Sequence, residues 1–353
     1  MAKIRVLVVD DAVVFRRLVA EELARNPALE VVGTAANGRI GLAKLSQLNP
    51  DVVVLDLEMP EMNGLEMLRE LRKSHRRLPV IMFSSLTERG ATETIEALAL
   101  GASDYFTKPA SSGGMDASLD VIRRQLVPQI KALAEGARAR ASRTSTAKSL
   151  PADDGGHEVR IVAIGASTGG PTALAEIFTR LPGDLGVPIV LVQHMPPMFT
   201  RLLAERLTAQ SPVRVQEGAT GTALQSGQAW IAPGDFHMAV THDGASARLH
   251  VHREPPENSC RPAVDVLFRS VAKVFGKHAL AVLLTGMGHD GVRGCEAVRE
   301  AGGRVIVQDE ATSVVWGMPG QVAKAGLANR VLPISMIADE IMRSCRQQVA
   351  GSR

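Results

Sequence analysis

Three residue types in the second half of the chain could together form an acyl-transfer centre. The segment GASTGG, residues 165–170, follows the apolar run IVAI and precedes Pro171 and the helical pattern TALAEIF. Gly165, Ser167 and Gly169 fit the G-x-S-x-G turn that lifts a serine hydroxyl out of a strand-to-helix junction. A plain tight turn fits the same residues, whereas a phosphate or dinucleotide loop fits them poorly, for want of the G-x-G-x-x-G spacing and the P-loop lysine. Serine attacks only when a base removes its proton. His194, closing the apolar run IVLVQH, is the candidate base, since His237, His242, His250 and His252 fall in an antiparallel stretch and His278 precedes its strand. An acid must then orient the imidazole. Asp290 in TGMGHDG and Asp309 after RVIVQ both follow strands; Asp290 is preferred, because QDEAT also reads as a helix cap. His250 and His252 share a strand face, but no third ligand completes a metal site.

The first 125 residues carry different chemistry. Asp10 and Asp11 end the first apolar strand run and Asp56 ends the third. In an open parallel sheet of order 2-1-3-4-5 these strands flank the switch point, where ligands bind. Three converging carboxylates require a hard cation, and few protein ligands suit Mg²⁺. Ser84 ends the fourth strand and Lys108 the fifth; a hydroxyl and an ammonium there would hold phosphoryl oxygens, with Asp56 as the acceptor.

The elements that must place these residues are written in the apolar pattern. IRVLVVD, VVGTA, DVVVLDL, PVIMFSS and DYFTKP alternate with helical segments such as VVFRRLVAEELAR, which predicts a flavodoxin-like five-stranded parallel sheet covered on both faces. Residues 136–156 lose the apolar periodicity and read as a linker, so the expected layout is 1–125, a connecting stretch 126–158 (a helix end, then flexible chain), and 159–350. The second unit predicts a doubly wound, mainly parallel α/β domain. Its strands include RIVAIG, VPIVLVQH, VRVQE, HALAVLLTG and RVIVQD, with two or three hairpin-like strands between 228 and 252 and helices near 171, 197, 290–301 and 334–348.

The chain of 353 residues is 45% apolar and 22% charged with a net charge of +3, which describes an ordinary globular protein. Residues 1–125 hold 16 basic and 17 acidic side chains and residues 159–353 hold 19 and 16, so neither part is a dedicated nucleic-acid binder. A DNA-reading output domain is disfavoured for the same reason and for want of a short helix-turn-helix pattern. A nucleotide-dependent oxidoreductase using GASTGG as its cofactor turn is the remaining rival. Cys260, Cys295 and Cys345 lack a CxxC pair and suit a reducing compartment. With no signal-like start and no membrane-length apolar run, a cytoplasmic protein without membrane insertion is expected. Arg138, Arg140, Arg143 and Lys148 form a basic cluster that reads either as solvated linker or as a dock for an acidic surface.

Residues 3–125 resemble the receiver domain of bacterial response regulators, through VVDD, DLEMPEMNG, SS after the fourth strand, and YFTKP. The resemblance implies Mg²⁺ held by Asp11, Asp56 and the backbone carbonyl of Glu58 with Asp10 nearby, phosphorylation of Asp56 by a histidine kinase, and Ser84 and Tyr105 as switch residues. GASTGGPTAL, VQHMP and LLTGMGHDG resemble the catalytic domain of the chemotaxis protein-glutamate methylesterase family, whose members also carry a receiver. That likeness implies Ser167, His194 and Asp290 as the catalytic set, choosing Asp290 over Asp309. It also implies Met287 N–H, beside Thr168 N–H at the elbow, as oxyanion donor. It further implies phosphorylation-activated demethylation of glutamate methyl esters and deamidation of glutamines on chemoreceptor cytoplasmic helices, with no cofactor for hydrolysis. His289, beside the acid, departs from the small residue expected there.

Overall fold

The structure, a computed structural model, describes residues 2–109, 114–142, 157–244 and 246–346. They fall into two compact units, Met1–Ser142 and Arg143–Arg353.

In the first unit, β1 (Ile4–Val9), α1 (Val13–Ala24), β2 (Leu29–Ala35), α2 (Gly38–Leu48), β3 (Val52–Asp56), α3 (Gly64–Ser74), β4 (Val80–Ser84), α4 (Glu88–Ala99) and β5 (Asp104–Thr107) alternate strictly. The strands pair in parallel in the order β2-β1-β3-β4-β5, as the apolar runs predict. β3 and β4 are buried along their whole length, because helices cover both faces of a parallel sheet and leave no polar side. Asn63 and Glu66 start α3 with a reciprocal capping box.

Helix continues where composition reads as linker. α5 (Gly114–Val121) passes through a π turn at Ile122–Leu126 into α6 (Val127–Ser142). Pro128, which has no N–H to give the preceding turn, sits just past the wide turn. Residues 136–142 are therefore helical, and Arg138 pairs with Asp51 at 2.8 Å within this unit. Arg143 and Lys148 of the basic cluster lie outside the described residues.

The second unit has β6 (Ile161–Ala166), α7 (Gly170–Phe178), β7 (Ile189–Gln193), α8 (Phe199–Gln210), β8 (Arg214–Glu217), β9 (Gln228–Ile231), β10 (His237–His242), β11 (Ala247–His252), α9 (Val264–Phe275), β12 (Ala279–Leu283), α10 (Val292–Glu300), β13 (Arg304–Gln308), α11 (Met318–Lys324), β14 (Arg330–Leu332) and α12 (Ile334–Arg346). Seven strands pair in parallel in the order β14-β13-β12-β6-β7-β9-β8. Only β10 and β11 form the antiparallel hairpin; β9, grouped with them by the sequence pattern, joins the main sheet beside β7.

α9 is one of three elements of this unit, with α11 and β14, that the reading of the sequence passes over. Its apolar residues Val264, Leu267, Phe268 and Val271 are fully buried with Met238 and Val240 of the hairpin and Val190 and Val192 of the sheet. The hairpin and α9 thus complete one core over one face of the sheet. Among the described residues, no helix is long and apolar enough to cross a membrane.

Candidate active site

β6 is the middle strand of the second sheet, and the chain leaves it toward β7 on one side and returns at β12 on the other. The strand order reverses there, and that opens a crevice at the carboxyl edge. Register then fixes three neighbours. Ala166 pairs with Gln193, and His194 N–H donates to Ala166 O at 3.1 Å, which puts Ser167 and His194 on adjoining rungs. Ser167 N–H donates to Thr285 O at 3.1 Å on the other flank.

The turn carrying Ser167 demands small residues. Gly169 has φ of 77°, a left-handed conformation that glycine adopts without penalty, and Gly170 N–H closes the turn onto Ser167 O at 2.7 Å. A Cβ on Gly170 would stand 1.9 Å from Gln193 Oε1. Gln193 is buried, and its Nε2 donates to Ser167 O at 3.0 Å and His194 O at 3.3 Å. It ties the two strand ends together.

His194 and Asp290 meet. Nε2 of the ring lies 2.8 Å from Asp290 Oδ2. Burial disfavours the imidazolium, but hydrogen bonds from Asp290 and Cys260 outweigh it and carry His194 up to about 10. Burial likewise pushes Asp290 upward, and His194 together with the backbone donors of Val264 and Asp265 brings it below the ordinary carboxylate value. Those donors are the first N–H groups of α9: Val264 N–H reaches Oδ2 at 2.7 Å and Asp265 N–H reaches Oδ1 at 3.0 Å. A helix N-terminus is a natural anion cradle. Asp309, in contrast, accepts from Thr312 N at 3.0 Å and caps its own turn.

Asn258 Nδ2 bridges Asp290 Oδ1 at 3.0 Å and Asp265 Oδ2 at 2.8 Å. Asp265 is buried and accepts Gly294 N–H at the start of α10 at 2.6 Å; burial first, and the nearby Asp290 charge, raise its pKa. Cys260 Sγ lies 3.7 Å from His194 Nδ1. Asn258 and Asp265 escaped the sequence reading, and Cys260 entered it only as one of three unpaired thiols. Only the α9 periodicity, beginning just after Pro262, could have brought that segment to attention.

The remaining expectations divide. The Ser167 hydroxyl makes no hydrogen bond among the described residues, so Ser167 and His194 are neighbours by register without a closed contact. Catalytic hydrogen bonds are often long before substrate binds. Among the described residues Thr168 N–H and Met287 N–H have no partner, while Gly286 on the same loop is pinned by Val315, Gly317 and Met318. Both groups are thus available as donors. His289 is exposed. His250 and His252 stack at 5.2 Å, and among the described residues neither belongs to a group able to hold a metal.

In the first unit, Asp10, Asp11 and Asp56 place carboxylate oxygens within 4.8 Å of one another. Lys108 Nζ bridges Asp10 at 2.9 Å and Asp56 at 2.8 Å. Burial above all raises Asp56 to about 6, with Lys108 opposing and Asp10 adding to the rise, and burial raises Asp10 as well. Carboxylates whose ionisation burial disfavours are a hard-oxygen donor set short of positive charge, which fits Mg²⁺. The Glu58 carbonyl accepts no hydrogen bond among the described residues and lies two residues past Asp56. The buried Ser84 hydroxyl accepts from Thr94 Oγ1 at 2.7 Å and faces α4, with the Gly90 carbonyl 3.4 Å away. Tyr105 is half-buried on the edge strand β5.

Fold and site define a protein of two α/β units, one with a receiver-type acidic pocket and one with a hydrolase-type imidazole–carboxylate pair at a sheet edge. The CheB methylesterase family model matches residues 162–341, and the response regulator receiver domain model matches residues 6–120. A Trichodesmium erythraeum relative named protein-glutamate methylesterase/protein-glutamine glutaminase is 49% identical over 349 residues, 97% of this chain and 99% of its own. A Nocardioides relative of the same name is 50% identical over 358 residues, covering 99% and 97%. The solved Thermotoga maritima CheB methylesterase catalytic domain superposes with a TM-score of 0.52 at 41% identity, over 53% of this chain and 99% of that one. The chain belongs to the protein-glutamate methylesterase family, with a response regulator receiver in front of the methylesterase domain.

Proposed function

We propose that this protein hydrolyses glutamate methyl esters, and deamidates glutamines, on the cytoplasmic helices of chemoreceptors, and that phosphorylation of Asp56 by a histidine kinase raises this activity. The observation that carries the reading is the His194 Nε2–Asp290 Oδ2 contact of 2.8 Å, one rung from Ser167. With Nε2 committed to the acid, Nδ1 is the nitrogen free to act as base. Ser167 Oγ attacks the ester carbonyl carbon as His194 Nδ1 takes its proton. The oxyanion is received by Thr168 N–H and Met287 N–H, donors of a kind whose individual loss costs about 10²–10³ in rate. His194 then returns the proton to the departing methoxide, which leaves as methanol, and water releases the acyl group by the same route. Asp290 holds the ring's tautomer and offsets the imidazolium charge.

In the receiver unit, Asp11, Asp56 and the Glu58 carbonyl, with Asp10 beside them, would hold Mg²⁺, which supplies charge neutralisation for phosphoryl transfer. Asp56 offers the accepting oxygen and Lys108 a cation to the incoming phosphoryl group. Ser84 and Tyr105 are proposed to report the modification, Ser84 by turning its hydroxyl from Thr94 toward the phosphoryl oxygens. A serine-directed phosphonyl reagent tests the nucleophile: mass analysis should find one adduct, on Ser167, lost in His194→Ala. Labelling elsewhere, or labelling independent of His194, counts against the assignment.

A further inference from the structure

Cys260 stands apart from the other two thiols. Cys295 and Cys345 are buried in the core, whereas Cys260 is half-buried and its Sγ faces the imidazole. Its loop is well fixed. Glu257 and Cys260 exchange backbone hydrogen bonds at 3.1 and 2.8 Å, and Arg269 clamps Glu257 with two bonds of 2.7 and 2.6 Å. The backbone that carries the sulfur is therefore set by the fold, and Sγ also lies 3.5 Å from the Asn258 carbonyl.

The separation of 3.7 Å between Sγ and Nδ1 is long for a strong hydrogen bond but right for two ligands of one ion. An ion about 2.3 Å from sulfur and about 2.0–2.1 Å from nitrogen would see these atoms at about 115°, near the tetrahedral angle that zinc prefers. The other ring nitrogen is already held by Asp290 at 2.8 Å, the carboxylate–imidazole arrangement that orients a metal-binding histidine. Asp290 also belongs to the same compact group of possible ligands.

We propose that Cys260 Sγ and His194 Nδ1 form a binding site for a thiophilic divalent cation of the Zn²⁺ type, oriented by Asp290 and completed by water. The thiol gives up its proton as the metal–sulfur bond forms, and the imidazole releases its Nδ1 proton to solvent as the metal–nitrogen bond forms. The ion takes the Nδ1 lone pair that would otherwise accept the serine proton, so its presence silences the base and its removal by a chelator restores it. That consequence rests on the esterase reading above; the binding itself does not.

Co²⁺ serves as the probe, since a thiolate ligand gives it a sulfur-to-metal charge-transfer band that carboxylates do not. The full chain, in excess Mg²⁺ to fill the receiver carboxylates, is titrated with Co²⁺ and then with Zn²⁺ as competitor. The expected result is a saturable 1:1 band, bleached by Zn²⁺, absent in Cys260→Ala and Cys260→Ser, and at least about tenfold weaker in apparent affinity in His194→Ala. The two Cys260 variants guard against a folding failure in either, checked by circular dichroism. No band in the parent protein, a band that survives in both Cys260 variants, or an affinity unchanged in His194→Ala would overturn the site. In parallel, Zn²⁺ should suppress ester hydrolysis over the same concentration range and EDTA should restore it. If the band behaves as expected but no form of the protein hydrolyses the ester, the metal site stands and the esterase reading falls.

Discussion

Asp290 approaches His194 at Nε2, at 2.8 Å, while Cys260 Sγ lies 3.7 Å from Nδ1. The acid therefore holds the ring by the nitrogen farther from the backbone, which leaves the nearer one for the serine in the proposed mechanism. In parallel register Ala166 pairs with Gln193, so Ser167 and His194 leave adjoining strands side by side.

Asp290→Asn should preserve the fold while cutting kcat by about 10³–10⁴, since an amide at that position can hold the wrong tautomer and no longer offsets the imidazolium. Steady-state ester hydrolysis checks this, with circular dichroism as the folding control. An Asn variant within a few-fold of the parent would remove Asp290 from the mechanism.

The pH dependence has a definite sign. His194 is lifted toward about 10, mainly through Asp290 and against the effect of burial, and only its neutral form can take the serine proton. The kcat/KM profile should keep climbing above the ordinary imidazole value of about 6.5. Asp290→Asn should move the rising limb to lower pH. For stability the same shift acts the other way: the ion pair stabilises the fold fully below about pH 6.5 and is lost as pH rises through about 10.

Asp56 titrates near 6 because burial and Asp10 resist its ionisation. A carboxyl raised in the folded state contributes stability below its unfolded value, and that contribution is lost as pH rises through the folded one. The receiver should thus soften between about pH 4 and 6, by on the order of 1–3 kcal/mol. Asp56→Asn should reduce the softening to what Asp10 contributes and abolish phosphorylation by a small phosphodonor. Mg²⁺ should raise the Tm of the parent above pH 6 and that of the variant much less. Thermal unfolding across pH, with and without Mg²⁺, reads all three effects.

Asn258→Ala removes the only described amide between the buried Asp290 and Asp265 carboxylates. Taking one donor from each of two buried carboxylates costs about 1–3 kcal/mol. The expected outcome is a lower Tm together with an acid limb displaced along the pH axis, because the charge on Asp290 is what sets the His194 pKa. A change in Tm alone would reduce Asn258 to a structural role.

Much of this arrangement is legible in the sequence, for physical reasons. Strands such as VVVLD and IVLVQ are buried on both faces and so appear as unbroken apolar runs, and residues at their carboxyl ends must share one edge. That logic places Ser167 beside His194, and Asp10 beside Asp56. Spacing alone left Asp290 and Asp309 both open, because the choice depends on α9 presenting two N–H groups to one carboxylate. Asn258 and Cys260 reach the site through a loop whose path is set by distant contacts, including the Arg269 clamp on Glu257. The Ser84 hydroxyl turns toward Thr94 by a side-chain rotation on which local sequence is silent.

The most direct measurement is methanol release from methylated chemoreceptor membranes by the parent protein and by Ser167→Ala, each with and without a small phosphodonor. The account expects release by the parent, faster with the phosphodonor, and a loss of about 10⁴-fold or more in Ser167→Ala under both conditions. Methanol released by a folded Ser167→Ala variant at the parent rate would contradict it.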